Sequence, residues 1–73
     1  MDYYNLKIDQ IKKTKNIKNL SNDELLSDLI AIIWIESELK SDYCDEYVQK
    51  SFSLEKIVNL NITYKKEILN RMN

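Results

Sequence analysis

The densest group of chemically capable side chains in this sequence is a run of carboxylates, Glu36, Glu38, Asp42, Asp45 and Glu46. Carboxylates this close can divide acid and base roles between them, or hold a hard cation through their oxygens. The rest of the chain supports neither use. Acid–base work needs a cleft that shifts the carboxyl pKa values, and no second set of titratable residues is present to wall one in. A calcium loop needs a regular ladder of oxygen ligands and a glycine turn, and the chain has no glycine. It has no histidine either, which removes the commonest general base and metal ligand. The pattern is that of a solvated acidic face. Cys44 sits among Asp42, Asp45 and Glu46, where neighbouring anions make its thiolate scarcer, so it reads as a structural thiol rather than a nucleophile. The expectation is a protein that is not an enzyme, with no catalytic, cofactor or metal residues.

A second chemistry is suggested by Lys12, Lys13, Lys15 and Lys18, which alternate with polar and apolar residues as nucleic-acid-binding arms do. Lysines supply phosphate contacts, while base readout calls on arginine and amide side chains. Tyr3 and Tyr4 are able to stack on bases. The overall pI near 5.3 opposes strong binding. Nucleic acid is therefore the alternative partner, and a solvated connector is the plainer reading of these lysines.

The third constellation is Trp34 with its helical neighbours Ala31 and Ile35. Tryptophan is enriched at interface hot spots. Glu38, Asp42 and Glu46 lie beyond it, and an acidic rim speeds encounter with a basic partner. Ala31, Trp34, Ile35, Glu38, Asp42 and Glu46 are the candidate partner or self-interface residues. The competing reading is that the N-terminal segment or the last helix covers Trp34 within one chain.

These residues need elements to hold them, and the composition says which. With neither glycine nor proline, the chain is poorly equipped for tight hairpin turns and well suited to helices joined by polar connections. The fold class is all-α, a small bundle of three or four helices in a single domain over residues 1–73. Ser21 followed by Glu24 is a capping box, with Asp23 and Glu24 favourable at the positive end of the helix dipole. It predicts a central helix from about residue 22 to 40. Leu25, Leu26, Leu29, Ile30, Ile32 and Ile33 form one broad stripe on it, and Ala31, Trp34 and Ile35 lie behind. A stretch apolar on every side is expected to be buried on every side.

Residues 58–65 alternate apolar and polar as a strand would. The wider window decides for a helix over about 53–72. Leu54, Ile57, Val58, Leu60, Ile62, Tyr64, Ile68, Leu69 and Met72 fall within an arc of roughly 200°, broken only by Asn61 and Lys65. Ser53 is its expected N-cap, and Arg71 is favourable at its end. Between the two, Ser41 with Asp42, Asp45 and Glu46 resembles another helix start, with Tyr43, Cys44, Tyr47 and Val48 sharing a face. It can be a short helix or run on into the last one. At the N-terminus, Tyr4, Ile8 and Ile11 fit a helix capped by Asp2, and Tyr4, Leu6 and Ile8 fit a strand equally. Lys12 to Asn19 reads as a connector.

Size and charge bear on partners. A chain of 73 residues buries only about 60% of its unfolded surface, and such domains are stapled by disulfides, metals or association. One cysteine allows no internal disulfide and fits a reducing, cytoplasmic setting. The longest apolar run, Leu29 to Ile35, is far short of a membrane span. Residues 21–49 carry eight acids against Lys40, while the segments before and after each carry five cations against two acids. The middle attracts its flanks, within one fold or across an oligomer. Self-association as a homodimer or higher oligomer is expected.

The stretches Leu20-Ser21-Asn22-Asp23-Glu24-Leu25-Leu26 and Tyr64-Lys65-Lys66-Glu67-Ile68-Leu69-Asn70-Arg71-Met72 resemble small helical proteins encoded by phages and mobile elements of low-GC bacteria. Members with an assigned role often bind and inhibit or redirect a host protein, including defence enzymes. The resemblance implies a non-catalytic module that acts by occupying a partner's surface. A nucleic-acid-binding regulator and a structural self-assembling subunit are the alternatives.

Overall fold

The Ser21 hydroxyl accepts from the Glu24 backbone N–H at 3.1 Å, and the Glu24 carboxylate accepts from the Ser21 N–H at 3.0 Å. This reciprocal cap starts helix α2, Asn22–Leu39, as the sequence pattern expects. The computed structural model describes residues 3–73. Its order is α1 (Tyr3–Lys13), a 3-10 turn at Ile17–Asn19, α2, then α3 (Glu46–Ser51) and α4 (Leu54–Met72). The described residues contain no strand, and the fold is all-α. The alternation at residues 58–65 lies inside α4, capped by the Ser53 hydroxyl on the Lys56 N–H.

The open choices at the two weaker segments resolve locally. Residues 3–13 are helical, and the expected Asp2 cap lies outside the described residues. The connector is shorter than expected, because Lys12 and Lys13 finish α1 and Ile17–Asn19 make a turn capped by the Asn16 side chain. The segment after α2 is a separate short helix. Its cap is Asp45, which accepts from the Tyr47 N–H at 2.8 Å, so Tyr43 and Cys44 stay outside it. Phe52 is extended at φ −140° and buried, and Ser53 follows in extended conformation as the next cap. That pair of extended residues separates α3 from α4 without a glycine.

The core joins α1 (Ile8, Ile11), α2 (Leu25, Ala31, Ile32, Ile35), α3 (Val48) and α4 (Ile57, Tyr64), closed by Phe52. The most extensive packing is between α2 and α4. They run antiparallel, as Arg71 reaching Asn22 at one end and Asn61 reaching Glu36 at the other require. The molecule measures 39 × 24 × 17 Å, about two helix layers deep.

One polar cluster crosses this core. Lys7 on α1 donates to Asp28 on α2, and the Tyr64 hydroxyl on α4 donates to the other Asp28 oxygen at 3.2 Å. Lys7 and Asp28 are buried, and each charge is compensated chiefly by the other, with this hydroxyl on the second Asp28 oxygen. Burial, then the Asp28 charge and hydrogen bond, push the Tyr64 phenol well above its ordinary range. The cluster fixes the rotation of α2: Asp28 must face α1 and α4 together.

Candidate interaction surface

Because Asp28 turns inward, Ala31 and Ile35 turn inward beside it. Both are core residues, 4% and 0% exposed within the single chain. This corrects their assignment to a partner or self-interface: α1 lies over that side of α2, so neither side chain can reach a second molecule. Trp34, at the edge of the same side, is half-buried under Tyr4. Their rings stack with centroids 4.1 Å apart and planes 20° from parallel, and Tyr3 meets Tyr4 edge-on at 5.4 Å. The reading in which the N-terminal segment covers Trp34 describes this contact.

The acidic residues do not gather into a site. Glu38 is half-buried, while Asp42 and Glu46 are exposed. Glu36 accepts from Lys40 at 3.0 Å and from Asn61 at 3.1 Å, contacts that hold its carboxyl below the usual range. Asp45 is spent on capping α3, and Glu46 pairs with Lys50 at 3.0 Å. The Cys44 thiol is pushed up by burial first, and then by Glu38 and Asp45. A thiol so placed is a poor nucleophile. Asp9 receives a hydrogen bond from the Tyr47 hydroxyl, which ties α1 to α3 and raises the phenol.

Lys12, Lys13, Lys15 and Lys18 are exposed along the end of α1 and the connector. Arg71, which could have joined them, is committed elsewhere. Its guanidinium donates to Glu67 at 2.9 Å, to the Asn22 side chain at 2.9 Å and to the carbonyls of Ile17 and Lys18 at 3.3 and 3.2 Å. It clamps the end of α4 to the start of α2.

What sequence reasoning assigned to the core, and the structure leaves open, is the flank of the α2–α4 pair away from α1. Leu26, Ile30 and Ile33 recur at helical spacing on α2, and Ile62, Leu69 and Met72 on α4. Ile30 is 68% exposed, Leu69 60% and Met72 76%, and the other three are about half exposed. Leu26 and Met72 line one shallow groove, with Leu25 and Ile68 at its floor, so the two stripes adjoin. Together the six residues present on the order of 700 Å² of accessible surface. The largest apolar patch on a typical monomer is about 300–600 Å². Lys65 is the one charge interleaved in the α4 stripe, between Ile62 and Leu69.

The signal for this face was in the widths. An amphipathic helix with one core neighbour shows an apolar stripe of about 100°. The central part of α2 is apolar all round, and α4 is apolar over about twice that width. The surplus on each helix is the open flank.

Comparison with known proteins adds no relative: no protein-family model, curated protein or solved structure matches the chain. No helix of the described residues is long and apolar enough to cross a membrane.

Proposed function

We propose that this chain is a small non-catalytic protein–protein interaction module that works by covering, and being covered by, a protein surface. The observation that carries the reading is the open α2–α4 flank, with Leu26, Ile30, Ile33, Ile62, Leu69 and Met72 in one apolar field. A field of this size on a domain of this size marks an interaction site. The reading shifts the contact surface from the Trp34 side to the opposite flank. Of the candidate residues on the Trp34 side, Trp34 and the acids Glu38, Asp42 and Glu46 keep solvent access for a further partner. The resemblance to small phage and mobile-element proteins makes a host protein the expected class for that partner, and inhibition or redirection by occupation the expected effect.

The test is site-specific photo-cross-linking. A benzophenone amino acid at position 30, in cells producing the protein, gives a protein adduct; the same group at Thr63, on the polar flank of α4, gives none. Absence of any adduct from position 30 overturns the reading.

A nucleic-acid regulator keeps one observation in its favour. Lys12, Lys13, Lys15 and Lys18 are exposed and enter no ion pair among the described residues, and Lys18 lines a shallow depression with Lys66. That reading requires binding to duplex or single strands that weakens steeply as salt rises. A flat response removes it.

A further inference from the structure

We infer that the occupant of the open α2–α4 flank is a second copy of this chain, paired about a two-fold axis so that α2 of each copy lies on α4 of the other. The inference rests on the reading of that flank as an interaction surface and names its partner.

Area is the first argument. A stable interface takes about 800 Å² from each partner. The six residues alone expose on the order of 700 Å², close to that share. The two stripes meet at Leu26 and Met72, with Lys65 the one charge set into them, and a largely apolar contact is what the interface of a lasting homodimer uses.

Charge is the second argument, and it chooses both the partner and the orientation. Helix α2 carries Asp23, Glu24, Glu36 and Glu38 outside the core and no cation, its fifth acid, Asp28, being buried against Lys7. Helix α4 carries Lys56, Lys65, Lys66 and Arg71 against Glu55 and Glu67. The open field is therefore one apolar stripe on an acidic helix beside one on a basic helix. A surface built this way is complementary to itself under a two-fold rotation, which is the condition for an isologous contact. Laying α2 on α2 would oppose like charges; laying α2 on α4 brings Lys65 and Lys66, which form no ion pair among the described residues, toward the acidic helix of the partner copy.

The sequence supplies the third. A 73-residue chain with one cysteine has no disulfide staple, and its central helix is apolar on the side its own fold leaves bare. Pairing restores the burial that an all-round apolar helix requires.

Sedimentation equilibrium of the purified full chain over a concentration series tests this directly. Wild type is expected at twice the 8.7 kDa chain mass. Ile30→Glu and Leu69→Glu, each at an exposed position, are expected at the single-chain mass with the helical circular dichroism retained. Lys65→Glu is expected to weaken the dimer at least tenfold, while Thr63→Glu leaves it intact. A wild type that stays at the single-chain mass to millimolar concentration overturns the inference, and so does a dimer untouched by both Ile30→Glu and Leu69→Glu. The photo-cross-link at position 30 tells this failure from failure of the surface reading. An adduct to a different protein, with a monomeric wild type, overturns self-pairing alone; no adduct overturns both.

Discussion

Tyr4 lies flat on Trp34, 4.1 Å between ring centroids, and so one side of α2 belongs to α1. The contact leaves the opposite side, Leu26, Ile30 and Ile33, exposed among the described residues. Stacked aromatic pairs add about 1 kcal/mol beyond the area they bury. Tyr4→Ala is expected to lower stability by about that amount and to shift Trp34 fluorescence to the red with faster quenching by iodide. An unchanged emission spectrum would mean that Tyr4 does not shield the indole.

The Lys7–Asp28–Tyr64 cluster sets the rotation of α2, and removing one partner should cost more than removing the ion pair. Asp28→Ala leaves a buried ammonium unpaired, at about 3–5 kcal/mol. Lys7→Met with Asp28→Leu removes both charges together and is expected to be much less damaging, because neither buried charge is then stranded. Urea unfolding of the two variants makes the comparison.

Alkaline pH reads the same cluster. The folded Tyr64 phenol is raised above the ordinary value of 10.0, so folding favours the neutral form. Stability from this group is fully present below about pH 10 and is lost progressively above it, as the unfolded chain ionises and the folded chain does not. Tyr64→Phe should flatten the fall in stability above about pH 10 while lowering stability at neutral pH by about 1–2 kcal/mol. A fall of the same steepness in both proteins would remove Tyr64 as the cause.

Arg71 joins α4 to α2 through a fork that lysine cannot copy. Arg71→Lys and Arg71→Ala should therefore behave alike, each costing about 2 kcal/mol and speeding hydrogen exchange at Ile17–Asn19 and in the first turn of α2. Recovery of protection by lysine would show that charge alone, not the planar fork, holds the ends together.

The helix starts were legible because their causes are local. Ser21 with Glu24, and Ser53 ahead of Leu54, satisfy backbone donors within three residues, and the chain between needs no distant information to form α2 and α4. The rotation of α2 was not legible in the same way. Its middle is apolar in every direction, so no stripe distinguishes Ile32 from Ile33, and Ala31 and Ile35 read as the back. The residue that decides is Asp28, an acid on the arc of Leu25, Ile32 and Ile35. A buried acid needs a buried cation, and Lys7, three residues after Tyr4 and four before Ile11 on the apolar side of α1, is that cation; the pairing spans 21 residues and is a tertiary fact. The start of α3 was misplaced toward Ser41 for a related reason. Ser41 and Asp45 both suit a cap, and Val48 and Phe52 had to reach the core before Asp45 could be chosen. The open flank appears only once the inner faces of α2 and α4 are known.

Solvent access at position 30 tests the central claim most directly. In a Cys44→Ser background, Ile30→Cys and Thr63→Cys each give a single exposed thiol, whose rate of reaction with a maleimide is followed as protein concentration rises. If the α2–α4 flank is covered by a second copy, position 30 reacts more slowly as concentration increases while position 63 does not change. Equal, concentration-independent rates at both positions would contradict it.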